Sequence, residues 1–358
     1  MTALAGLALK KIEELLSPMP RFRANQIYKW ILKGCESFEE MKNIPVSLQK
    51  ELSQKFCVYS GRVIDSLFDE DNTRKNIISL KDGLKIESVL LCDNKNRLTA
   101  CLSTQAGCPC GCVFCKTGAI GFKRNLESCE IVEQFLQLKT IKNERISSDA
   151  KNKEHFKKHL IDNIVIMGMG EPLLNIENLY KAVEVFTDPK GINLSRRRIT
   201  VSTCGIYDGL LDIANNGSFV RLALSLVTAD ESLRQKLLPV TKANPLEKIR
   251  EVLLLYQKNG GGRITLEVPL LGGINTREKD ALSVINFSKG LESVINIIPW
   301  NPVADLYFEG KPLAEPSKKE ISDYTSMLEK NKLNVTMRLH KGRSLMGACG
   351  QLGDLLGH

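Results

Sequence analysis

No stretch of the sequence approaches the roughly 18 to 20 consecutive apolar residues that a membrane-spanning helix needs. The opening Met1 to Lys10 also lacks the charged start and small-residue cleavage site of an export signal. A cytoplasmic protein with no membrane contact is expected. Solenoid repeats and low-complexity tracts are missing, and no Gly-x-Gly-x-x-Gly follows the first strand-like run, which disfavours a dinucleotide-binding sheet. Hydrophobic residues make up 43% of the 358 and charged residues 25%, a balance that excludes a disordered chain. Fifty Lys and Arg against 41 Asp and Glu leave a net charge of +9, which suits a polyanion such as nucleic acid.

Eleven cysteines are too many for a reducing compartment to hold as disulfides, and five fall between Cys101 and Cys115. Crowding of that kind signals metal or redox chemistry.

The first fifty-odd residues read as helices. Leu7, Lys11, Leu15 and Leu16 begin an amphipathic pattern that Pro18 and Pro20 stop, Ala24 to Leu32 starts another, and a third short helix begins near Ser37. Lys10, Lys11, Arg21, Arg23, Lys29 and Lys33, interleaved with Phe22, Tyr28 and Trp30, make either a solvated basic face or an RNA-binding one. From Cys57 to Leu91 short β-type runs broken at Asp69 to Asn72 and Asp82-Gly83 predict hairpins.

Beyond Arg97 one unit repeats: an apolar run, a loop, an amphipathic helix. Strands are expected at Arg97 to Ser103, Asn163 to Met169, Arg198 to Thr203, Val220 to Leu226, Arg263 to Leu270 and Val294 to Trp300, with Asn334 to Leu339 as one more. The helices between and after them are Ser128 to Ile141, Ile176 to Phe186, Tyr207 to Asn215, Leu246 to Lys258, Arg277 to Lys289 and Lys318 to Lys330. Six strand-helix units require parallel strands, and an α/β fold with a partial (β/α)6 barrel fits them. The expected organisation is a small helical accessory domain over 1–56, a hairpin connector over 57–94, the barrel over 95–345 and a tail over 346–358. The polar stretch Lys139 to His159 reads as a surface loop.

Directly after the first strand stands Gly107-Cys108-Pro109-Cys110-Gly111-Cys112-Val113-Phe114-Cys115. Structural zinc usually takes two C-x2-C knuckles, and no second one follows. Cys108, Cys112 and Cys115 form C-x3-C-x2-C: three thiolates can hold three irons of a [4Fe-4S] cluster and leave the fourth without a protein ligand. Cys110 falls outside the pattern and reads as a bystander. This arrangement resembles the radical S-adenosylmethionine superfamily, in which the open iron chelates the amino and carboxylate groups of S-adenosylmethionine and one electron yields a deoxyadenosyl radical.

Cys101 to Cys108, Gly121 to Leu126, Met167-Gly168-Met169-Gly170-Glu171-Pro172-Leu173-Leu174-Asn175 and Ala348-Cys349-Gly350-Gln351-Leu352 resemble, more narrowly, the RlmN family of RNA adenine carbon-2 methyltransferases. The resemblance implies methylation of an adenosine in large-subunit (23S) ribosomal RNA and of adenosine 37 in transfer RNA. Two S-adenosylmethionines are used per turnover, one as methyl donor and one as radical source. It further implies Cys349 as the carrier of the methyl group, Cys101 as the thiol that closes a disulfide with it, and Glu87 as proton acceptor. Cofactor contacts are implied for Gly170, Glu171, Ser202, Ser225, Leu226, Val227 and Asn301, several of which end proposed strands, where barrel enzymes collect their functional groups. A monomer reduced by a flavodoxin or ferredoxin is the implied working form. The chain departs from the family at Val227, where His is usual, and at Cys204, which replaces a more usual Ser. Two other readings stay open: a Cfr-type enzyme methylating carbon 8 through the same cysteines, and a zinc-stabilised RNA-binding protein.

Overall fold

The computed structural model describes residues 1–69, 72–139, 161–216, 220–337 and 342–353. These residues divide into two compact units interleaved along the chain. The first comprises 1–106, 125–168 and 175–199; the second comprises 107–124, 169–174 and 200–358.

The first unit opens with helices α1 (Leu9–Leu15), α2 (Arg21–Leu32) and α3 (Val46–Lys55). Pro20 occupies the N-cap of α2, where its fixed φ costs nothing, so the helix starts earlier than the expected Ala24. Near Ser37 only a single 3-10 turn forms, over Phe38–Glu40. Leu4, Ile12, Ile27, Ile31, Met41 and Leu52 pack as the apolar core of this region, each at most 1% exposed. Tyr28 departs from the expected surface face. It is buried, and burial raises its hydroxyl to about 12. Phe22 is 55% exposed, with the Arg23 guanidinium 4.8 Å above its ring, so the basic-aromatic character of the surface persists without Tyr28.

Strands β1 (Arg62–Phe68), β2 (Arg74–Ser79), β3 (Lys85–Cys92) and β4 (Leu98–Cys101) follow, each antiparallel to the one before. Asp82-Gly83 turns β2 into β3 with Gly83 at φ +84, a conformation glycine adopts freely. After helix α5 (Ser128–Lys139) and the undescribed stretch, β5 (Asn163–Ile166) pairs parallel with β4. Helix α6 (Ile176–Thr187) completes the unit. The basic segment expected beyond Lys139 and the end of the strand expected at Asn334 to Leu339 lie outside the described residues.

The second unit holds the short helix α4 (Lys116–Ile120) and a parallel set in the order β6 (Ile199–Thr203), β7 (Arg221–Ser225), β8 (Ile264–Leu270), β9 (Ser293–Pro299) and β10 (Val335–Met337). Its crossovers run through α7 (Tyr207–Asn215), α8 (Glu231–Leu237), α9 (Leu246–Lys258), α10 (Glu278–Ser288) and α11 (Lys318–Lys330). Leu222, Leu224, Leu266, Val268 and Ile297 are almost completely buried, which is what parallel strands covered by helices demand of their side chains.

Helix α11 starts from a capping box in which the Ser317 hydroxyl and the Glu320 carboxylate serve each other's backbone. Glu320 also accepts bonds from the Thr276 hydroxyl at 2.6 Å and the Gly273 amide at 2.8 Å. These donors, Thr276 first, hold its carboxyl at about 2, well below the ordinary 4.5. A depressed carboxyl contributes stability above its unfolded value and loses it as pH falls through the folded one. Glu320→Gln is therefore expected to cost about 1 kcal/mol near neutrality. In urea titrations the two proteins should converge between pH 4.5 and pH 2; a gap that persists at the acid end would contradict this role.

Candidate active site

The cysteine loop is held by its own backbone. Gly107 sits at φ +74, and a Cβ there would lie 1.8 Å from the Gly121 carbonyl oxygen, so only glycine lets the loop close on itself. The Cys108 amide donates to that same oxygen at 3.3 Å, and the Val113 amide donates to the Leu237 carbonyl at 3.0 Å. Cys115 caps α4, and Cys108, Cys112 and Cys115 are all half-buried free thiols. Cys112 feels the charge of Cys115, Cys108 and Cys204, while burial is the main reason its thiol, like that of Cys115, is raised.

Ligands of one tetrahedral zinc lie about 3.8 Å apart, given metal-sulfur bonds of about 2.3 Å. Among the described residues the three ligand atoms that approach one another within 4.8 Å belong to Cys110, Glu171 and Cys204, not to Cys108, Cys112 and Cys115. A cubane wants its three thiolates on separate irons and hence farther apart. The motif cysteines fit that group: three sulfur donors, one loop, no fourth ligand from the motif. Cys110, expected as a bystander, is buried with its Sγ 3.4 Å from Cys204 Sγ.

Around this loop the other expected residues gather within the second unit. Gly170 adopts φ +101 and turns the chain so that Glu171 points inward at 4% exposure. Glu171 accepts the Cys204 amide on Oε2 at 2.8 Å and the Leu173 amide on Oε1 at 3.0 Å, while burial pushes its carboxyl up. Ser202 and Ser225, at the ends of β6 and β7, place their hydroxyls 3.3 Å apart. Asn301, just past β9, is buried and donates to the Cys349 carbonyl at 3.4 Å. Leu226 and Val227 are fully buried. Val227 sits at φ +63, unusual for a β-branched residue, with its amide donating to Glu267 and its carbonyl accepting from Asn275.

The C-terminal segment is tied to the same loop. Lys116 N donates to the Gly350 carbonyl at 2.8 Å, Thr117 Oγ1 to the Leu352 carbonyl at 2.6 Å, and Gln351 Nε2 to the Pro302 carbonyl at 3.1 Å. Trp300 Nε1 closes the circuit on the Phe114 carbonyl at 3.0 Å. Cys349 thus precedes a residue bonded to the one that follows Cys115.

Sequence reasoning missed Arg234. It is fully buried on α8 and donates to the carbonyls of Cys204 at 2.6 Å and Ser225 at 3.0 Å, and to that of Leu226, so one guanidinium gathers the ends of β6 and β7. Burial lowers it to about 10.

Within the first unit Glu87 is not the exposed strand carboxylate that its surroundings in sequence suggest. It has zero exposure and forms an ion pair with Lys75 at 3.2 Å. Register places Lys75 opposite Val89 and Val89 opposite Cys101, so Lys75, Glu87 and Cys101 share one face of the sheet. At Gly168 a Cβ would fall 2.6 Å from Ser103 Oγ, so the glycine lets the chain pass close to Ser103.

A family model described as the Radical SAM superfamily matches residues 102–285, and one described as the Ribosomal RNA large subunit methyltransferase N-terminal domain matches residues 2–58. A protein of Treponema denticola named "Probable dual-specificity RNA methyltransferase RlmN" is 45% identical over 99% of this chain and 96% of its own length. The chain belongs to the RlmN family. One from Nitratiruptor, named "Dual-specificity RNA methyltransferase RlmN", is 35% identical over 97% of both chains. The crystal structure of a radical SAM methyltransferase from Sphaerobacter thermophilus superposes with a TM-score of 0.89 at 31% identity, covering 98% of this chain and 99% of that one. The fold is accordingly the α/β partial barrel of the superfamily with a helical region before it. Membership of the superfamily brings a [4Fe-4S] cluster and S-adenosylmethionine as cofactors. Among the described residues no helix is long and apolar enough to cross a membrane.

Proposed function

We propose that the protein methylates carbon 2 of an adenosine in 23S ribosomal RNA and of adenosine 37 in transfer RNA, as an RNA methyltransferase of the radical type. The observation that carries this reading is the bonding of the Cys349 tail to the cysteine loop through Lys116 and Gly350. Carbon 2 of adenine is electron-poor and does not attack a sulfonium methyl directly, so the methyl group needs a carrier. When bound by Cys108, Cys112 and Cys115, the cluster supplies S-adenosylmethionine with the electron that makes it a hydrogen-abstracting reagent.

Cys349 is the carrier: its thiol loses a proton and its sulfur takes a methyl group from one S-adenosylmethionine, whose sulfonium-methyl bond breaks to release S-adenosylhomocysteine. After a hydrogen atom leaves that methyl group, its carbon bonds to carbon 2 of the base, and the one surplus electron of the adduct would return to the cluster that supplied it. Glu87 accepts the proton released there, and Lys75 keeps its carboxylate oriented and charge-balanced. Cys101 then loses its proton and attacks the sulfur of Cys349; the sulfur-carbon bond breaks with its electron pair going to carbon, which takes up a proton to complete the methyl group, the methylated base departs and a disulfide remains, which requires Cα atoms within about 7 Å. Gly170 and Glu171 receive the methionine amino group, Ser202, Ser225 and Asn301 hold the polar ends of the cofactor, and Leu226 and Val227 pack against it. Arg234 positions Ser225 through its backbone.

Residues 1–56 form an accessory domain that contacts RNA, 57–94 a connector, 95–345 the barrel and 346–358 the catalytic tail. The enzyme works as a cytoplasmic monomer reduced by a flavodoxin or ferredoxin. The RlmN relatives favour carbon 2 over the carbon 8 of Cfr-type enzymes.

Anaerobic purification followed by metal analysis and nucleoside mass spectrometry tests the reading. The expected result is brown protein with four irons per chain and 2-methyladenosine in treated RNA. A colourless zinc protein, or 8-methyladenosine as the product, would replace it with one of the alternatives.

A further inference from the structure

Next to the candidate site, the second unit carries an open recess of about 750 Å³ whose purpose the chemistry above does not require. It lies among the loops that leave the carboxyl ends of β7, β8 and β9, the same ends that carry Ser225 and Asn301. Lys236, Arg277, Lys279 and Lys311 line it against Asp230 and Glu309, so its lining is cationic by two charges.

The walls are held by buried polar bonds. Asn275, with zero exposure, donates to the carbonyls of Val227 and Pro269, both at 2.8 Å, and accepts the Leu271 amide at 2.7 Å, which staples the loop after β8 to the loop after β7. Glu320 fixes Gly273 and Thr276 of the same loop. The third wall is a hairpin in which Tyr307–Phe308 pairs with Lys311–Pro312, and the Lys236 to Glu309 ion pair at 2.7 Å ties it to α8. Phe308 on this hairpin lines the recess half-buried, an aromatic ring set into its wall. Lys279 is 4.0 Å from Asp230, at the limit of an ion pair, so its charge is loosely engaged.

Loops pinned by buried bonds present these cations without an ordering cost on binding. An aromatic ring in the same lining as such cations matches a nucleic-acid strand, whose phosphates meet the lysines while a base stacks on the ring. We infer that this recess is a cradle for the RNA backbone, in which Lys279 and Lys311 contact phosphates of the substrate strand and Phe308 stacks on a nucleotide near the target adenosine. The inference rests on the proposed RNA substrate and assigns the surface that receives it.

The test uses the full-length holoenzyme and an unmodified 23S ribosomal RNA transcript, with Kd measured across a series of salt concentrations. Each phosphate contact contributes about 0.7 to 0.9 to the slope of log K against log salt. Lys279→Gln with Lys311→Gln is expected to flatten that slope by roughly 1.4 to 1.8 and to raise Kd and KM for RNA several-fold, with the loss confined to KM. Phe308→Ala should weaken binding without changing the slope. A control pair, Lys258→Gln with Lys289→Gln, lies at the opposite ends of the strands and should leave slope and Kd as they are. The cradle is refuted if the first pair leaves the slope unchanged, or if the control pair alters it equally. Nucleoside analysis of wild-type product tests the carbon-2 assignment separately, because RNA binding and its salt dependence are read whether or not methylation occurs.

Discussion

Cys349→Ala is expected to bring RNA methylation down to background while iron and sulfide content stay at the wild-type level. The alanine leaves the polypeptide backbone in place, so the bonds from Asn301 and Lys116 to the carbonyls of residues 349 and 350 survive, and the tail keeps its position. What disappears is the sulfur, and with it the proposed methyl carrier. The companion change, Cys101→Ala, should stop the reaction one bond later and leave RNA covalently attached to the protein, visible as a retarded band on a denaturing gel. Normal turnover by Cys101→Ala would remove that residue from the scheme; loss of iron in Cys349→Ala would mean that the tail supports the cofactor and not the chemistry.

Arg234→Met should destabilise the protein by about 3 kcal/mol, since buried polar groups that lose their hydrogen-bond partner cost about 1 to 3 kcal/mol each. Methionine fills comparable volume, so packing loss is small. The carbonyls of Cys204, Ser225 and Leu226 would be left without their shared donor in a region that water does not reach. Urea denaturation gives the stability, and S-adenosylmethionine affinity gives the local consequence, since Ser225 and Leu226 stand at the end of β7. Lysine at the same position is not expected to rescue it, because an ammonium lacks the planar fork that reaches three carbonyls at once. A variant within 1 kcal/mol of wild type would show that the strand ends are held by something else.

The barrel strands were legible because each is a short apolar run followed by a helix of regular spacing, and Tyr207–Asn215, Leu246–Lys258 and Lys318–Lys330 fall where the periodicity puts them. The cysteine loop was legible for another reason: its spacing is chemistry, and it survives without any knowledge of packing. Helix α3 was not read, since Val46–Lys55 is mostly polar and buries little beyond Gln49 and Leu52. Lys75 and Arg234 escaped for the converse reason. A basic residue in a polar neighbourhood looks solvated until the register of three strands, or the ends of two, converge on it. The closeness of Cys110 to Cys204, 94 positions away, was likewise not legible in the sequence.

The chain passes between its two units at 106/107, 124/125, 168/169, 174/175 and 199/200. Neither unit is a continuous stretch of polypeptide, so no single cut separates them, and a fragment ending inside either would strand pieces of the other. Each must await segments made earlier or later in the chain, and contacts between such distant segments are slow to form. Modular exchange with a relative would therefore have to swap several short stretches together.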